Sequence, residues 1–195
     1  MRTPKIAALY LGIAALAGCA SGGHRTTAAP GVFTLSAPGL ADNALLEQRY
    51  AGNLPSNPNC VGQNVSPPLA WTNAPAGTRS FAMLTYDQDG RSGLGVAHWV
   101  AYGIPAAVAA FAENDIARGH TGYTGGQNTL NLATYMGPCP PVNTGNHHYV
   151  FTVIATDLEP GALPPGLTMP ELLARLNGHA KGSSSIVLRY GRTAP

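Results

Sequence analysis

Five residues have the types and spacing for chemistry: Asp87 and Asp89 after one apolar run, His98 within the next, and His147 with Tyr149 opening a third. Imidazole N–H, tyrosine O–H and backbone N–H groups all donate hydrogen bonds, so such a set suits a small anion. The Asp87 carboxylate would fix a histidine tautomer or receive an ammonium group. His147 and Tyr149 stand two apart and share a face once a strand has begun; His148 faces the other way. The same spacing also fits ordinary polar groups satisfied at strand ends.

Other chemistries find less support. Two histidines and a carboxylate are suitable metal ligands, but there is no short pair such as His-x-x-x-His, and His147 and His148 point oppositely in a strand. No metal and no cofactor are expected. Ser, His and Asp are present without a Gly-x-Ser-x-Gly elbow, and there is no glycine-rich phosphate loop. The reading is therefore non-enzymatic.

The elements that must position these residues follow from the pattern. Residues 137–146 form a loop stiffened by Pro138, Pro140 and Pro141, which fix φ and remove donors. From Tyr149 the chain turns β-branched and aromatic, as a strand requires. Strands are also expected over 33–36, 69–71, 80–86 and 96–104. The run 80–86 is apolar on both faces and so central. Alternation puts His98, Val100 and Tyr102 on one face. The alanine-rich segment 106–112 suggests a helical turn, and residues 118–135 a long surface excursion. Thr168 to Glu171 reads as a capping box, with Leu172, Leu173 and Leu176 as the buried face of the helix that follows. His179 and Lys181 suit its end, and Gly182 closes it. The 24 glycines and 17 prolines favour many turns and short strands. The expected fold is mainly β: an antiparallel β-sandwich with Greek-key-type connections and one C-terminal helix before the last strand.

The N-terminus reads as an address. Arg2 and Lys5 precede an apolar stretch, residues 6–17, too short for a comfortable membrane span. Leu16-Ala17-Gly18-Cys19 has the layout of a lipoprotein signal, with Cys19 as the lipidated first residue of the mature chain. Residues 1–18 are then the signal peptide, 19–31 the lipidated cysteine and a flexible tether, and 32–192 the folded domain. Acyl chains on Cys19 would hold the membrane, and Ala20 favours the outer membrane, periplasmic side. Without Arg2 and Lys5, eleven basic residues become nine, equal to the nine acidic ones. No basic stripe is visible, so nucleic acid is not a partner. Cys60 and Cys139 remain, as a disulfide or as two free thiols.

Several motifs in order resemble the phosphatidylethanolamine-binding protein family, and more narrowly its bacterial Raf kinase inhibitor-like branch. They are Asn64-x-Ser-Pro-Pro-Leu-x-Trp71, Asp87-x-Asp89, His98-Trp99-Val100, Ile104-Pro105, Gly137-Pro-Cys-Pro-Pro141, His147-x-Tyr149, Gly178-His179 and Tyr190-Gly191. The resemblance implies an antiparallel β-sandwich with a small anion pocket at one end. It assigns Asp87, His98, Pro140, His147 and Tyr149 to ligand binding, with Asp89 and Cys139 as further candidates. The chain departs from the family's pattern in three places, one of them the loop from Arg118 to Tyr135, which does not match closely. The usual Asp-Pro-Asp-Ala-Pro is Asp87-Gln88-Asp89-Gly90-Arg91, and the usual Arg between His and Tyr is His148. The expected partner is a phosphate-like anion or phospholipid headgroup. The alternative is a protein-interaction or inhibitor module, acting on a protease or kinase-like partner, in which the pocket is incidental.

Overall fold

The computed structural model describes residues 31–118 and 122–193. The expected signal peptide, Cys19 and the expected tether up to residue 30 lie outside the described residues. The strands are β1 (Thr34–Ser36), β2 (Ala44–Leu45), β3 (Leu69–Thr72), β4 (Ser80–Asp87), β5 (Val96–Pro105), β6 (Ala110–Phe111), β7 (Thr124–Gly125), β8 (Asn146–Thr156) and β9 (Ala180–Gly191). They form a small sheet in the order β1-β3-β6 and a large one in the order β2-β9-β8-β4-β5-β7. β8 returns to pair with β4 after the long β5–β8 excursion, so the large sheet is no simple meander. The pairings between these strands are antiparallel except β2 with β9, which is parallel.

The large sheet is covered on both faces, which explains its apolar centre. One face meets the small sheet. There Phe81, Met83, Trp99, Phe151, Val153 and Leu188 pack with Leu35, Leu69, Trp71 and Phe111. The other face carries Ala82, Leu84, Val100, Tyr102 and Ile154 beneath the helix Met169–Leu176. β4 sits between β5 and β8 and is buried almost throughout.

The helix starts as expected: the Thr168 backbone N–H donates to Glu171 Oε2 at 2.8 Å. Its face differs from the expectation. Leu172 and Leu176 are buried, but Leu173 lies one step round the helix, about 100° away, and is exposed. The helix ends at Leu176, with the left-handed Gly178 just beyond, rather than at Gly182. Gly182 lies inside β9. His179 and Lys181 both bind Asp157, at 2.8 and 2.7 Å, instead of serving the helix end.

The alanine-rich segment is not helical. Ala110 and Phe111 form β6 and pair with Ala70 and Leu69. Burial of Phe111 between the sheets outweighs the local helix preference of alanine. The excursion from 118 to 135 is only partly superficial, since Ile116, Asn128 and Tyr135 beside or within it are buried.

Candidate functional site

The site lies where β4 ends and β8 begins. Asp87 is the last residue of β4 and pairs with Tyr149 of β8. Alternation along β4 turns Asp87 to the same face as Thr85, Met83 and Phe81. His147 and Tyr149 reach that face from β8.

His98 gets there by a different route. β4 and β5 lose register between Thr85, which faces Trp99, and Tyr86, which faces Ala97. His98 is the extra residue of a β-bulge, and bulges re-aim side chains. Strict alternation would group His98 with Val100 and Tyr102. Instead those two pack beneath the helix, while the His98 ring meets Tyr149 edge-on at 5.1 Å on the opposite face.

The polar centre is Asp87, which is 3% exposed. Its Oδ1 accepts from the N–H groups of Asp89 at 2.9 Å and Gly90 at 3.1 Å. Its Oδ2 accepts from His147 Nδ1–H at 2.8 Å. His147 Nε2 lies 3.1 Å from Thr144 Oγ1, which itself is 2.9 Å from the Pro141 carbonyl. Both ring nitrogens of His147 are thus engaged by the protein. His98 Nδ1–H donates to the Met136 carbonyl at 2.8 Å, so its Nε2 turns towards Asp87, 4.0 Å away and beyond hydrogen-bond reach. Burial of His98 pushes its pKa below the ordinary value, with Met136 and Asp87 opposing that shift.

Asp87, His98, Met136 and His147 line a cavity of about 260 Å³. Three segments wall it. Loop 126–136 is hung from β5 by Gly126 N–H to the Val100 carbonyl, Thr129 N–H to that of Ala97, and Met136 N–H to that of His98. Asn128 is buried and closes this loop, its Oδ1 accepting from Leu130 and Leu132 N–H. The proline-rich loop contributes Cys139, Pro140 and Pro141. The third wall carries Asn57 and Asn59. A disulfide joins Cys60 to Cys139 and so ties the second wall to the third. Close packing at Gly137 fixes this corner, since a Cβ there would lie 2.3 Å from the Tyr50 carbonyl oxygen.

Asp87, His98, Pro140, His147 and Cys139 stand on the cavity wall. Tyr149 does not. It is 1% exposed and lies behind both imidazoles, stacked on His147 at 6.4 Å, with no hydrogen-bond partner for its hydroxyl among the described residues. Burial, reinforced by Asp87, raises its pKa strongly. Asp89 also lies off this cavity. It accepts from the backbone and ring N–H of His148, at 2.8 and 2.9 Å, and those bonds lower its pKa. It borders a second hollow with Thr144 and His147.

Sequence reasoning missed Asn128, Met136 and Thr144. Nothing local marks a main-chain carbonyl or a loop amide as a partner. Arg91 was visible only as a departure from a motif. It sits in a short helical turn, Gly90–Gly93, with φ of 52°, followed by Ser92 at 59°. Left-handed geometry costs a non-glycine residue about 1–2 kcal/mol. The turn is held by the two N–H bonds to Asp87 and by Gly95 N–H to the Gly90 carbonyl at 2.9 Å. Gly90 must be small, because a Cβ would stand 2.6 Å from Val96 Cγ2.

The fold and the site together define a β-sandwich protein with a histidine- and aspartate-lined cavity at one end of its large sheet. The chain belongs to the phosphatidylethanolamine-binding protein family, whose model matches residues 38–191. It is 35% identical to a UPF0098 protein of Methanothermobacter thermautotrophicus, over 72% of this chain and 92% of that one. It is 33% identical to the Mycobacterium tuberculosis protein named "Putative lipoprotein LppC", over 95% of this chain and 94% of that one. Among solved structures, Escherichia coli YbcL, described as a member of the mammalian PEBP family, superposes with a TM-score of 0.73 at 29% identity. That match covers 82% of this chain and 98% of YbcL.

Proposed function

We propose that the protein is a non-enzymatic ligand-binding lipoprotein of the cell envelope, anchored through Cys19 in the outer membrane on its periplasmic side. Its cavity takes a small phosphate-like anion or a phospholipid headgroup. The observation that carries this reading is the cavity itself, about 260 Å³, with Asp87, His98 and His147 converging on it from three strands. That volume suits a small ligand, below the range typical of drug-sized pockets. Thr144 Oγ1 lies 3.1 Å from His147 Nε2 and 2.9 Å from the Pro141 carbonyl, so its single hydrogen serves one acceptor or the other. The lipoprotein reading is supported by the signal layout ending at Cys19 and by likeness to LppC along nearly the whole chain.

The first described residues and the cavity lie at opposite ends of the sandwich. Asn73 Nδ2 donates to the Val32 carbonyl, and the Phe33 ring lies 6.2 Å from Phe81. Phe81 is near the start of β4, whereas Asp87 ends it. A lipid on Cys19 would therefore leave the cavity opening away from the anchoring bilayer. Titration with inorganic phosphate and phosphoethanolamine, read by the imidazole NMR signals of His98 and His147, tests the reading. Shifts at both residues support it; no response at millimolar ligand overturns it.

One observation favours the second reading, a protein-interaction module. Leu130 borders the cavity and is 49% exposed, Leu94 borders a neighbouring hollow and is 75% exposed, and Val142 follows Pro141 at 39%. A partner captured as strongly by His147→Ala as by the wild type would favour this role.

A further inference from the structure

The cavity's preference for an anion needs a source. Neither imidazole provides a free N–H. His98 has spent Nδ1–H on Met136, and its Nε2 faces Asp87 as an acceptor. His147 has one ring nitrogen on Asp87 and the other against Thr144. Asp87 takes three N–H donors, the pattern of an ionised carboxylate. The floor is therefore richer in acceptors than in donors.

The rim is different. Arg91 is the one lysine or arginine among the described residues lining the cavity. It also borders both neighbouring hollows. No carboxylate of the described residues pairs with it. The nearest candidate in sequence, Asp89, already holds the backbone and ring N–H groups of His148. The turn that carries Arg91 is built on Asp87, so the floor and the rim are one construction.

We propose that Arg91 is the specificity-determining residue of this cavity, and that a ligand's acid group sits at the rim against its guanidinium rather than at the Asp87 floor. This rests on the ligand-binding reading above and deepens it. A planar guanidinium with five donors matches a phosphate or carboxylate bidentately, which a point charge does not. The floor, with Asp87 and the Nε2 acceptor of His98, then receives a hydrogen-bond donor or the uncharged end of the ligand.

The test is titration with inorganic phosphate of the wild type and of Arg91→Gln, Arg91→Asn and Arg91→Lys, read by the His98 and His147 imidazole signals and repeated at rising salt. Asparagine tolerates left-handed backbone, so Arg91→Asn separates loss of charge from a disturbed turn. Removing one charge-assisted contact predicts affinity weaker by about tenfold or more in both neutral variants. Arg91→Lys should recover part of it, and the salt dependence should flatten in the neutral variants. If the wild type responds and the neutral variants bind within twofold of it, Arg91 has no such role while the cavity reading stands. If the wild type itself gives no response, the cavity reading falls and this inference falls with it.

Discussion

Asp87 Oδ2 and His147 Nδ1 lie 2.8 Å apart, and both side chains are almost wholly buried, at 4% and 8% exposure. The pair links the end of β4 to the start of β8. The other oxygen of Asp87 holds the turn that follows β4. One carboxylate thus fixes a histidine tautomer, joins two strands and shapes the rim of the cavity.

Asp87→Asn should therefore do more than weaken a ligand. The amide keeps one accepting oxygen, but its NH₂ group only donates, so either His147 or the turn loses its acceptor. A buried N–H left without an acceptor costs about 1–3 kcal/mol. Urea unfolding of the purified domain should show a loss of that size. The amide signals of Asp89, Gly90 and Arg91 should shift with it. Unchanged stability would mean that the turn stands without Asp87.

His98 gives the domain a pH dependence of predictable sign. Burial lowers its folded pKa, so the unfolded chain takes a proton that the folded one resists. The stabilisation is complete above the ordinary histidine value of 6.5 and declines as pH falls below it, until the folded form also protonates. The slope from this residue reaches at most about 1.4 kcal/mol per pH unit. Asp89, whose pKa is lowered by His148, adds its own loss only below its ordinary 3.8, a separate window. Unfolding between pH 7 and pH 5 should show the decline in the wild type and a shallower one in His98→Gln.

Much of the fold was legible because strand residues announce themselves. The apolar run of β4, the prolines before β8 and the capping box at Thr168 are local signals with local causes. The misreadings have tertiary causes. Residues 106–112 carry helix-forming alanines, yet Phe111 is claimed by the space between two sheets. The face of His98 could not be read, because a bulge belongs to a strand pair and only one strand is visible in a window of sequence. Asp87, His98 and His147 stood out by residue type. Tyr149 carried the same signal but lies behind the site. Arg91 carried a weaker one, since a charge in a turn is usually a solvated face.

The Cys60–Cys139 disulfide closes a loop across a sequence separation of 79 residues and ties the Asn57–Asn59 wall to the proline-rich wall. Restricting the unfolded chain in this way is worth about 2–4 kcal/mol. Cys60→Ser with Cys139→Ser should lower stability by about that amount in denaturant unfolding. Reductant should reproduce the loss in the wild type and leave the double variant unchanged. Phosphate binding should weaken too, because Cys139 precedes Pro140 on the wall.

The point at which the described chain enters β1 makes the last prediction. The described chain reaches β1 at the Phe81 end of the sandwich, opposite Asp87. Residues 19–30 could span about 40 Å if fully extended, but a flexible chain of that length averages roughly 20 Å between its ends. On the lipoprotein reading the cavity then lies at the end away from the point of attachment, and ligand capture should not depend on the leader. Protein beginning at residue 31 should bind phosphate within twofold of the full chain reconstituted in vesicles. Cys19→Ser should move the protein from the membrane fraction to the soluble one without changing that affinity. A marked gain in affinity only for the membrane-bound form would show instead that the cavity works against the bilayer to which the chain is attached.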